Sequence, residues 1–86
     1  MQGVMITAEQ VRAARSALGW SVAELSLRSG VGTATIKRYE AVTGLPKSRK
    51  NNLGLLRQAF EAAGIEFIGA PDDGPGIRLW LHFDSQ

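Results

Sequence analysis

The stretch Ser21–Ala41, SVAELSLRSGVGTATIKRYEA, constrains this chain most, because it predicts two short helices joined by a glycine-marked turn. Ser21 followed three residues later by Glu24 reads as a capping box, each side chain satisfying a backbone N–H that the helix start leaves unpaired. The first helix then spans Val22 to Ser29 and stops at Gly30, since glycine adopts the positive φ of a helix end without steric cost. Val31 turns inward, and Gly32 or Thr33 caps a second helix that runs to Ala41, with Ile36 and Tyr39 three apart on its apolar face. The remaining residues of that helix, Thr33, Ala34, Thr35, Lys37 and Arg38, are small, hydroxylic or basic. Such a face suits a partner rich in phosphate and base edges.

This segment resembles the helix-turn-helix of the Xre/Cro family of phage-repressor-like DNA-binding proteins. The residues that carry the resemblance are small Ser26, the turn glycine Gly30, apolar Leu25, Val31, Ile36 and Tyr39, and Glu40 closing the second helix. Their spacing holds over about twenty residues without a gap. Two positions depart from the family pattern. Ser26 replaces the usual alanine and is still small enough for close helix crossing, and Val22 stands where a polar, phosphate-touching residue is common. The resemblance implies a mainly α fold, a lambda-repressor-like bundle of four to five helices with a C-terminal two-stranded β-hairpin.

The chain of 86 residues is read as one domain, residues 1–86, near the size at which a single core is only just sufficient. Residues 7–63 form the helical helix-turn-helix core and residues 65–83 the hairpin, a possible dimerisation element. The apolar content of 44% is that of a globular chain, and the absence of cysteine excludes disulfides and thiolate zinc sites. No apolar run approaches the roughly 20 residues that span a bilayer, and the opening MQGVMITAEQ lacks the pattern of a signal peptide. A cytoplasmic, bacterial-type protein, nucleoid-associated when bound to DNA, is the expectation.

The net charge of +2 is unevenly placed. Residues 1–50 carry eight Lys/Arg against three Glu, a net +5, and residues 51–86 carry two Arg against five acidic residues, a net −3. The basic half coincides with the two-helix motif, where it would draw a polyanion by attraction and counterion release. The other reading of these charges is a solvated surface of mixed sign.

Met1–Ile6 reads as a loose or extended leader. Thr7 and Gln10 form a second capping box for a helix from about Ala8 to Leu18, ending at Gly19, and Trp20 anchors the corner that follows. Val42-Thr43-Gly44-Leu45-Pro46 is a loop, and Lys47-Ser48-Arg49-Lys50 is either a solvated charge run or a grip on the phosphate backbone. Asn51 or Asn52 caps a longer helix with an apolar stripe at Leu53, Leu56, Ala59 or Phe60, and Ala63, stopped by Gly64. Ile65–Ile68 and Ile77–Phe83 alternate around a turn-rich Gly69–Gly76 and read as a hairpin. This tail also resembles one found on many short bacterial regulators of the same family. Ile77, Leu79, Leu81 and Phe83 can lie on the helices, and Trp80 either pairs the hairpin with a twofold mate or covers the last helix of its own chain.

No catalytic set emerges. His82 is the only histidine, with no nucleophile nearby, and Asp72-Asp73 has turn chemistry without the further oxygen ligands of a calcium loop. The glycines at 69, 74 and 76 lack the strand-to-helix context of a phosphate loop. A binding protein without metal or cofactor is expected, and not an enzyme.

By resemblance, Thr33, Ala34, Lys37 and Arg38 occupy the outward positions that contact DNA in the family. In that mode the helix lies in the major groove, Arg38 reads a guanine through O6 and N7, and Ala34 touches a thymine methyl. Thr33 and Thr35 reach phosphate or base edges, Lys37, Lys47, Arg49 and Lys50 hold phosphates, and Arg28 joins them or is solvated. The implied function is a sequence-specific double-stranded DNA-binding repressor, acting as a homodimer on an operator. The alternative is the antitoxin of a toxin–antitoxin pair, which binds a toxin protein and autoregulates its operon.

Overall fold

The computed structural model describes residues 5–48 and 51–80. The elements are α1 (Ala8–Leu18), α2 (Val22–Ser29), α3 (Thr33–Glu40), α4 (Asn52–Ala62), β1 (Ile65–Ala70) and β2 (Asp73–Leu79).

Local chemistry accounts for the helix bounds. Thr7 caps α1 with a full capping box, its Oγ1 accepting from the Gln10 backbone while Gln10 Oε1 accepts from Thr7 N–H at 2.9 Å. Gly19 (φ 68°) and Gly30 (φ 80°) end α1 and α2 in the left-handed conformation. The cap of α2 is half of what its sequence suggests. Ser21 Oγ accepts from Glu24 N–H at 3.0 Å, but the Glu24 carboxylate accepts from Arg28 Nε one turn on, at 2.6 Å. At α3 the N-cap is Gly32, which has no side chain to offer, and the helix ends at Glu40, one residue short of the expected Ala41.

The expected mainly α bundle of four to five helices is corrected. Among the described residues there are four helices and a two-stranded antiparallel sheet, with helix making up 51%. Among the described residues between α3 and α4 there is no further helix, since Gly44 takes φ 81° and Pro46 biases Leu45 away from helix. The sheet belongs to the core: Ile65 is buried in it, and Phe67, Ile77 and Leu79 pack against it. With two layers supplying apolar faces, the helices alone do not define the fold.

The hairpin is tighter than expected at its turn, with β1 running two residues further and β2 beginning four residues earlier, while β2 ends at Leu79 and leaves Trp80 outside the strand. The register pairs Ile65 with Leu79, Glu66 with Arg78, Phe67 with Ile77 and Ile68 with Gly76, then resumes at Ala70 and Asp73. Between those last two pairs Gly74 and Pro75 oppose the single Gly69, which is a bulge. Gly69 and Gly74 both have positive φ, and Pro75, which has no N–H for the ladder, falls in the bulge. Gly-Pro-Gly, read from sequence as loop, is thus strand, and the turn shrinks to Pro71-Asp72. Leu81, His82 and Phe83 lie outside the described residues.

Ile6 is a second correction. It is fully buried, and with Val11, Leu25, Ile36, Leu56 and Phe60 it forms the centre of the molecule. Expected in a leader, it is instead a core residue, the first among those described. Gln10 then joins the layers. Its Nε2 donates to the carbonyls of Ile68 (3.2 Å) and Gly76 (2.9 Å), so the residue that completes the capping box of α1 also holds the hairpin at its bulge.

Candidate nucleic-acid interface

The interface is built on α3. Ile36 and Tyr39 are buried, and that anchoring turns Thr33, Ala34, Lys37 and Arg38 outward, all four exposed, with Thr35 half-buried. The first turn of α3 has no acidic residue and its N-cap makes no side-chain hydrogen bond. Its leading backbone N–H groups are therefore not capped by a side chain, at the end of the helix where the peptide dipoles favour an anion.

The rest of the helix is held firmly. Arg15 from α1 grips the Glu40 carboxylate with two bonds, Nε at 2.8 Å and Nη2 at 2.9 Å, and its Nη1 also donates to the Trp20 carbonyl at 3.0 Å. With the Glu40 side chain only 10% exposed, this pair is shielded from solvent, and the Arg15 pKa is raised, chiefly by its bond to Glu40. Arg12 Nη1 donates to the Glu40 carbonyl, satisfying an acceptor at the end of α3. On the far side, Tyr39 Oη donates to Ser48 Oγ at 2.9 Å and accepts from Asn52 Nδ2 at 3.2 Å, tying α3 to the start of α4.

Beside the exposed face runs a groove lined by Arg38, Tyr39, Val42, Leu45, Pro46 and Lys47. The Arg38 guanidinium lies 5.6 Å from the centre of the Tyr39 ring. Two of the expected contact residues, Arg38 and Lys47, thus line one groove, with exposed Val42 and Leu45 between them in sequence.

Arg28 is placed differently. It pairs with Glu24 and lies 4.5 Å over the Trp20 ring, so its guanidinium already has two partners within the chain. Arg49 and Lys50 lie outside the described residues. Arg12 and Arg15, which the sequence offers only as basic charge, bind the end of α3 instead. The sequence signal for that role is their spacing: three apart on α1, they project from one face of a helix.

On the hairpin, Trp80 is 54% exposed and its Nε1 donates to Glu66 Oε1 at 2.8 Å, while Arg78 Nη1 reaches the same oxygen at 3.2 Å. The Glu66 carboxyl is held below its ordinary value, first by the Trp80 bond and then by the Arg78 charge. Among the described residues no group of three His, Asp or Glu side chains is placed to hold a metal ion, and no helix is long and apolar enough to cross a membrane.

Neither a family model nor a curated protein matches this chain.

Proposed function

We propose that the protein is a sequence-specific double-stranded DNA-binding repressor of the Xre/Cro type that reads the major groove with α3. The observation that carries this reading is the division of α3. Ile36 and Tyr39 are inside, Thr33, Ala34, Lys37 and Arg38 are outside with Thr35 between the two faces, and Lys47 continues the basic face across the adjoining groove.

In this reading the N-terminal end of α3 enters the groove and its backbone N–H groups face phosphate. Arg38, released from the Tyr39 ring, presents its planar fork to guanine O6 and N7. Lys37 and Lys47 hold phosphates, with Arg49 and Lys50 following in sequence, and give affinity without sequence information. Arg28 supports the Trp20 corner and does not join them. The protein acts by occupancy and not by catalysis, and two copies engage half-sites about 34 Å apart, one turn of duplex.

The test is selection of duplexes from a randomised pool at two salt concentrations. Enrichment of an inverted repeat with turn-spaced half-sites is the expected result, and salt-sensitive binding with no enriched sequence removes the claim of sequence specificity. On the selected duplex, Arg38→Ala relaxes preference at one base pair by roughly 1–3 kcal/mol. Lys47→Ala weakens all duplexes alike and lowers the salt slope by about one. Equal losses for Arg38→Ala on every sequence would exclude base reading by that side chain.

A further inference from the structure

The loop after α3 is fastened to the first turn of α1 by an unusual pair of contacts. The Ala8 backbone N–H donates to the Gly44 carbonyl at 2.8 Å, and the Gly44 N–H donates back to the Glu9 carboxylate, at 3.1 and 3.4 Å to its two oxygens. Both polar groups of one loop residue are thereby held by the start of a helix more than thirty residues earlier in the chain. Arg12 adds to the same fastening: its Nη1 donates to the Glu40 carbonyl and makes a longer contact, 3.5 Å, with the Val42 carbonyl, and its Nη2 sits 3.8 Å from Glu9. Gly44 needs its φ of 81° to sit there. Immediately beyond the fastening are Leu45, Pro46 and Lys47, which share the groove with Arg38.

We infer that Glu9 is a positioning residue for the nucleic-acid surface, holding the 42–47 loop so that Lys47 is presented beside α3. The inference rests on the DNA-binding reading above. Glu9 itself touches no part of that groove and carries the charge that a polyanion repels. Its two influences therefore have opposite signs. As a bare charge near phosphate it weakens binding, and its removal tightens binding. As the acceptor that fixes Gly44 it strengthens binding, because a loop ordered beforehand does not lose that freedom at the moment of association.

Two substitutions separate these influences. Glu9→Gln removes the charge and keeps an oxygen that accepts the Gly44 N–H, whereas Glu9→Ala removes both. The measurement is the dissociation constant of the full chain on the selected duplex and on a scrambled one, with thermal melting to confirm that each variant is folded at the assay temperature. Expected are a weakening of about tenfold for Glu9→Ala on both duplexes, the order of one charge-assisted hydrogen bond, and affinity for Glu9→Gln equal to or tighter than the parent's. The double variant Glu9→Ala/Lys47→Ala should bind no more weakly than Lys47→Ala alone, since Glu9 acts through the loop that carries Lys47. Tighter binding by Glu9→Ala, or losses that multiply in the double variant, would overturn the positioning role while leaving the DNA reading intact. A parent chain that binds neither duplex at low salt would overturn both.

Discussion

Gly64 is the residue on which the join between the helices and the hairpin depends. Its φ is 102°, and a Cβ added there would meet the Trp80 carbonyl oxygen at 2.7 Å, so both the backbone conformation and the space exclude a side chain. The Gly64 carbonyl also accepts the Trp80 N–H at 2.8 Å, closing the far end of the two-stranded ladder. Gly64→Ala is expected to destabilise the fold by roughly 1–3 kcal/mol, from the strained φ and the forced shift of β2. Denaturant unfolding checks this, and the same substitution at Gly30, where φ is positive but no atom lies within 4 Å of the added Cβ, should cost less. The helix-ending glycines are legible in the sequence because their cause is local. Gly64 was legible as a helix stop and not as a contact point, since Trp80 lies sixteen residues away.

Among the elements, α1 is the one whose role is least visible in its own sequence. Its bounds follow from Thr7, Gln10 and Gly19, all within the helix or beside it. What it fastens does not: Gln10 binds carbonyls 58 and 66 residues away, Glu9 binds Gly44, and Arg15 binds Glu40. Gln10→Ala removes two bonds to the hairpin and half of a capping box at once. The expected loss is about 2–4 kcal/mol, because the half-buried Ile68 and Gly76 carbonyls lose their donor as the cap weakens. Amide exchange should then rise first in β1 and β2. The hairpin itself is legible in the sequence, but its extent is not. Glycine and proline mark a turn or a bulge equally well from sequence, and only the register decides between them. Likewise α3 could be divided from sequence into inner and outer faces by period, whereas Arg28 could not be assigned to Trp20 and Glu24 without the fold that brings Trp20 alongside α2.

At the scale of the whole molecule, two carboxylates make the fold sensitive to acid. Glu9 is held below the ordinary 4.5, first by its own backbone N–H, then by Gly44 N–H, with the Arg12 charge adding to them. Glu66 is lowered by Trp80 and Arg78. A depressed folded-state pKa favours the ionised form in the fold, so this contribution is fully present above about 4.5 and is lost as pH falls through the lowered values. Thermal midpoints measured down the pH scale should therefore drop below about pH 4.5, and Glu9→Gln and Glu66→Gln should each flatten part of that drop. The charges also divide along the sequence: residues 1–50, which include α3, carry a net +5, and residues 51–86, which include α4 and the hairpin, a net −3.

One further arrangement joins the α1–α2 corner to α4 and β1. Trp20 stacks on Phe60 with ring centres 5.8 Å apart, Phe60 meets Phe67 edge-on at 6.0 Å, and guanidiniums close the two ends, Arg28 over Trp20 and Arg57 over Phe67. The only other tryptophan, Trp80, stands outside this column with its indole N–H on a carboxylate. The protein therefore contains two native optical probes in contrasting surroundings, one half-buried and stacked at the α1–α2 corner and one in contact with water at the end of the hairpin. A soluble quencher such as acrylamide should extinguish the emission of Trp80 well before that of Trp20. Loosening of the hairpin and melting of the helical layer could then be followed as separate signals in the same cuvette, with no label attached.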